Sequence, residues 1–134
     1  MTKVLVFGTF DGLHPGHEAF LKQARELGDE LVVCVAQDEV VERLKQRASR
    51  LPLKARLAEL VANSDVNQAV AGDLELGNYE GYRAIRPDIV AFGYDQAELE
   101  ADFKRFQQAT GDDTPTVVLK PYQPETFKSS LLNV

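Results

Sequence analysis

The chain has 134 residues, 44% of them apolar and 27% charged, with a net charge of −6 at neutral pH, which is enough for one domain and ordinary for a soluble globular protein. The acidic balance argues against nucleic acid as a bulk partner, and with no apolar run of about 18 residues and no leader-like start the expectation is a cytoplasmic protein. The single cysteine, Cys34, excludes an internal disulfide, and one Cys with two closely spaced His residues makes no four-ligand metal set.

Residues 4–7 (Val4, Leu5, Val6, Phe7) are a short β-rich run, and downstream Phe20, Leu21, Ala24 and Leu27 recur at helical spacing. Between them lies Gly8-Thr9-Phe10-Asp11-Gly12-Leu13-His14-Pro15-Gly16-His17, a tight turn that must feed a helix N-terminus. Such a terminus exposes unpaired N–H groups and partial positive charge, both suited to phosphate oxygens. Gly8, Gly12 and Gly16 let backbone approach a ligand, while His14 and His17, three apart, can face the same way. The stretch predicts a phosphate site with two imidazole donors.

Periodicity predicts strands near 3–7, 31–36, 66–71, 88–92 and 116–120, and helices near 16–27, 38–46, 53–63, 78–85 and 96–109. This alternation predicts an α/β fold: a Rossmann-like, doubly wound, five-stranded parallel sheet with helices on both faces, in a single domain spanning 1–134. Ligands of such sheets collect beyond the carboxyl ends of the strands, where the turn must lie.

Cys34 falls in the apolar run of residues 31–36 and reads as a buried strand thiol. Asp38 is placed to cap the next helix. Residues 43–56 then hold Arg43, Lys45, Arg47, Arg50, Lys54 and Arg56 with no acid among them, so all 21 acids lie elsewhere. A small polyanion suits such a local patch better than a long one. The helix near 53–63 has Leu53, Leu57, Leu60 and Val61 on its apolar side, for the core or for a dimer surface. Residues 73–86 are poorly patterned; Tyr79, Tyr82 and Arg83 either line an acceptor pocket or pack beneath a loop. In residues 86–96 a buried strand runs into a glycine turn, Gly93-Tyr94-Asp95-Gln96, with Asp95 available as a helix cap. The tail ends in the hydroxyl pair Ser129 and Ser130.

Strand, then G-T-F-D-x-x-H-x-G-H, then helix resembles the signature of the HxGH superfamily of small nucleotidyltransferases. Within it, the segment Pro87-Asp88-Ile89 through Gly93-x-Asp95-Gln96 is similar to that of archaeal-type FAD synthetases. The resemblance implies transfer of a nucleoside monophosphate from ATP or CTP to a phosphate acceptor, with FMN adenylyltransferase as the leading case, a cytidylyltransferase acting on glycerol 3-phosphate or a similar small phosphate as its rival, and a nucleotide-binding module without turnover as the alternative from another class. It implies that His14 and His17 serve the α-phosphate, that Thr9 and Phe10 beside Gly8 contact phosphate, and that Lys45, Arg56, Ser129 and Ser130 hold the β and γ groups. Gly93, Asp95 and Gln96 would border the nucleotide, Asp11 and Tyr79 the acceptor or a cation, and Mg2+ would accompany the triphosphate. A homodimer is common in similar enzymes. Only residues 131–134 follow the serine pair, which leaves room for a partner, a truncation or weaker nucleotide binding in place of the family's last helix. Base preference and the acceptor are not set by these residues.

Overall fold

The computed structural model describes residues 1–74 and 77–121, so the phosphate role expected of Ser129 and Ser130 lies outside the described residues. The elements run β1 (Lys3–Gly8), α1 (Pro15–Glu26), β2 (Glu30–Val35), α2 (Asp38–Lys45), α3 (Leu53–Val61), β3 (Gln68–Ala71), α4 (Glu80–Ile85), β4 (Ile89–Phe92), α5 (Ala97–Thr110) and β5 (Thr116–Val118). The strands form one sheet in the order β3-β2-β1-β4-β5, every neighbouring pair parallel. The predicted Rossmann-like sheet is therefore present.

The period of two along each strand divides the core between the two faces. Val4 and Val6 of β1, Leu31, Val33 and Val35 of β2 and Ala91 of β4 meet Leu21 and Ala24 of α1 and Leu60 of α3. Leu5, Val32, Cys34, Val90 and Phe92 point the other way, onto Tyr82 of α4 and Phe103 of α5. Cys34 is buried as expected, and burial, aided by the Asp73 charge, pushes its thiol up to about 12.

Strand order reverses between β1 and β4, since β2 and β3 lie on one side of β1 and β4 and β5 on the other. That reversal opens a crevice beyond the carboxyl ends of β1 and β4. Gly8, Gly93 and the residues after them stand at its rim.

Two boundaries move for local reasons, and one expected cap is not used. β3 starts at Gln68 because Val66 and Asn67 are used in a turn, with Val66 N–H on Asn63 and Asn67 exchanging bonds with Leu31. α4 starts at Glu80 because Gly77 and Tyr79 take positive φ values of 92° and 53°. Asp38 does not cap α2: Gln37 holds the cap position without a side-chain bond, and the Asp38 carboxylate turns to Arg56, Ser49 and the Leu53 N–H.

Candidate active site

Leaving β1, the chain turns with Phe10 at φ 51° and Gly12 at φ 95°, and a Gly12 N–H to Phe10 carbonyl bond of 3.0 Å closes the bend. A left-handed Phe is costly, and burial of its ring against His17 and Phe20 holds it there. Gly8 is required by that ring: a Cβ would lie 2.5 Å from Phe10 Cε2.

His14 is the N-cap of α1. Its Nδ1 accepts from the N–H groups of Gly16 (3.0 Å) and His17 (3.3 Å). Using Nδ1 as acceptor leaves the proton of the neutral ring on Nε2. Pro15 follows at the first helical position, where no N–H is needed. One turn on, His17 stacks on His14 with ring centroids 3.8 Å apart and planes 24° apart. Its Nδ1 is buried with no hydrogen-bond partner among the described residues. Burial, then the charge of His14 and more weakly that of Lys45, pull the His17 pKa below 6.5; the Gly12 carbonyl and Asp95 oppose this without reversing it.

The two rings open on a cleft of about 270 Å3 at the switch point. Its walls are Gly8, Thr9 and Phe10 after β1, His14, Gly16, His17 and Phe20 from α1, and Gly93, Tyr94, Asp95 and Gln96 after β4, with Lys120 beyond β5. Thus Gly8, Thr9, Phe10, His14, His17, Gly93, Asp95 and Gln96, singled out from sequence, are brought to one cavity.

Three other assignments, Arg56, Asp11 and Tyr79, need correction, and Gln96 and Lys45 need placing. Arg56 is fully buried and makes no approach to the cleft. Its Nη1 donates to the carbonyls of Thr9 (2.9 Å) and Ala36 (2.7 Å), its Nε to Leu51 (3.0 Å) and its Nη2 to Asp38 (2.6 Å). It ties the turn, the end of β2 and the basic segment together instead of meeting a phosphate. Asp11 is a latch: its carboxylate accepts from the N–H groups of Arg50 (2.6 Å) and Leu51 (2.7 Å), and those bonds, Arg50 first, lower its pKa. Tyr79 lies under α5, its hydroxyl on Asp102 at 2.6 Å and its ring against Phe103, away from the cleft. Gln96 lines the cleft but spends its amide on backbone, accepting from Gly93 and donating to Phe7, both at 2.8 Å. It fastens β4 to β1 across the switch point. Lys45 is exposed in the last turn of α2 and is not part of the cleft wall.

Sequence reasoning missed Lys120 and Tyr94, both on the wall. A usable signal existed for each: they are the first large polar side chains past the carboxyl ends of β5 and β4, where such sheets gather ligands. Among the described residues no three His, Cys, Asp or Glu side chains group to hold a metal ion.

The model of one protein family, described as cytidylyltransferase-like, matches residues 5–131. A FAD synthase of Aciduliprofundum boonei is 40% identical over 122 residues, which cover 91% of this chain and 80% of that protein. A FAD synthase of Methanosarcina mazei is 47% identical over 96 residues, 72% of this chain and 62% of the relative. Among solved structures, the lipopolysaccharide core biosynthesis protein of Thermoplasma volcanium superimposes with a TM-score of 0.83 at 32% identity, covering 92% of this chain and 99% of that one.

Proposed function

From the premise that this chain belongs to the cytidylyltransferase-like family, we propose that its nucleotidyltransferase chemistry is the adenylylation of FMN, giving FAD and pyrophosphate. The observation that carries the reading is the pair of stacked imidazoles, 3.8 Å apart, open to a cleft at the sheet's switch point. Relatives named FAD synthase, 39–47% identical, support the acceptor.

An oxygen of the FMN phosphate attacks the α-phosphorus of ATP, a P–O bond forms, and the bond from that phosphorus to the bridging oxygen breaks with its electron pair going to pyrophosphate. The attacking phosphate is already ionised near neutral pH, so no general base is needed; what is needed is alignment and compensation of charge. His14, with Nδ1 held by the α1 backbone, presents Nε2–H as a fixed donor to the α-phosphate. His17, neutral before substrate arrives, supplies a second donor and can gain a proton as negative charge accumulates. In this reading Thr9 and Phe10 border the phosphates and Gly93 and Asp95 the nucleoside, while Lys45 and Arg50, exposed and off the cleft wall, are the cations that would meet the departing phosphates. Ser129 and Ser130 belong to the same reading as further phosphate ligands.

Magnesium enters as the companion of the triphosphate. Among the described residues Asp95 is the only acid on the cleft wall, and an ion carried in by phosphate oxygens needs no carboxylate cage. The reading also includes a cytoplasmic location; among the described residues no helix is long and apolar enough to cross a membrane. A homodimer through α3 is supported by the apolar groove of Leu53, Leu57 and Val61, the last 61% exposed.

Pyrophosphate release measured with ATP or CTP against FMN or glycerol 3-phosphate tests the proposal. Turnover with ATP and FMN alone is expected. Turnover with CTP and glycerol 3-phosphate transfers the protein to the rival specificity, and nucleotide binding with no turnover on either acceptor removes the enzymatic reading.

A further inference from the structure

Among the described residues twelve wall the cleft, and Lys120 is the only lysine or arginine of them. It is not left to wander there. The Gln23 side chain, two turns into α1, donates from Nε2 to the Lys120 carbonyl and accepts the Lys120 N–H at Oε1, both at 3.0 Å. A primary amide paired in this way with one residue's N–H and C=O fixes that peptide in the same manner as a strand neighbour would. The chain needs this, because β5 ends at Val118 and Leu119 makes the last backbone bond to β4, to Phe92 at 2.8 Å. Beyond that bond, Gln23 alone sets the position of the Lys120 backbone among the described residues.

The occupant facing this lysine follows from the imidazoles. His14 and His17 line the same cavity, and the phosphorus they serve belongs to the nucleotide, so the nucleotide's phosphates are what Lys120 faces. A triphosphate there finds two imidazoles from the start of α1 and, at Lys120, one full positive charge. We infer that Lys120 is a triphosphate-binding residue of this enzyme and that Gln23 is its positioning residue, acting through the Lys120 peptide. This deepens the adenylyltransferase reading and rests on it for the identity of the nucleotide.

The test is calorimetric titration of ATP into wild type, Lys120→Ala, Lys120→Arg, Gln23→Leu and the Lys120→Ala/Gln23→Leu double variant, with steady-state KM for ATP and for FMN measured on each. Lys120→Ala should weaken ATP about tenfold, as loss of one charge-assisted hydrogen bond does, and leave KM for FMN unchanged. Lys120→Arg should restore most of the affinity. Gln23→Leu should give a smaller loss that vanishes in the Lys120→Ala background, because the amide then has no charge to aim. Unchanged ATP affinity in Lys120→Ala overturns the inference, as does a loss confined to KM for FMN. Additive losses in the double variant overturn the role of Gln23. Thermal denaturation of Lys120→Ala should match wild type, since the side chain is exposed. A wild type that binds ATP but does not convert FMN sinks the acceptor assignment alone, and the titrations still decide on Lys120.

Discussion

His17 stands at the boundary between packing and chemistry. Phe10 meets its ring edge on, His14 covers one face, and its Nδ1 has no partner. The ring nonetheless lines the cleft, which a histidine used for packing alone would not do. Because Phe10 and Phe20 continue the packing, His17→Ala should leave the circular dichroism spectrum and melting profile near wild type while lowering kcat at least about a hundredfold, the scale of losing one aimed donor at developing charge. A variant turning over at the wild-type rate would remove the assigned role. The lowered pKa gives a second prediction. The folded protein refuses a proton that the unfolded chain accepts near pH 6.5, so stability is complete above that value and declines as pH falls from 6.5 toward the lower folded value. Triphosphate raises that pKa again, so ATP binding between pH 6 and 7 should take up a proton. Calorimetry in buffers of different ionisation enthalpy measures the uptake, which should disappear in His17→Ala.

At the scale of elements, the turn after β1 and the basic segment before α3 are one unit joined from below by Arg56 and from above by Asp11. Four acceptors in three chain segments are met by one planar guanidinium, and a lysine's single nitrogen cannot span them. Arg56→Ala should therefore cost about 3–5 kcal/mol in urea denaturation, the range for stranding the partners of a buried ion, and Arg56→Lys should recover little of it. Wild-type stability in either variant would contradict this. The same residue shows where sequence legibility stops. Strands and helices were readable because apolar periods of 2 and 3.6 are local, and the His14–His17 pair was readable because three residues on a helix is a fixed geometry. Arg56 and Asp11 were misassigned because a charge near a ligand motif looks alike whether it faces solvent or the underside of a loop. Only the crossing of β1, β2 and the segment 46–52 decides between them. Lys120 was overlooked for the opposite reason, its partner Gln23 being 97 residues away.

Over the whole molecule, a net charge of −6 opposes a polyanionic substrate at long range while residues 43–56 attract it locally. Exposed charges are screened beyond about 8–10 Å at physiological salt. Raising ionic strength to about 0.5 M shortens that reach to near 4 Å, and should raise KM for ATP severalfold with little change in kcat or melting temperature. An ATP affinity indifferent to salt would show that the basic segment plays no part. The sheet's central position has a practical corollary for the one sulfur nucleophile of the chain. Cys34, sealed between β1 and β3 with its thiol pushed to about 12, carries almost no thiolate at neutral pH. Maleimides and iodoacetamide should pass it by in the native protein, so a cysteine introduced on the surface of α5 could be labelled alone with a fluorophore, and nucleotide arrival watched optically without first deleting the native residue.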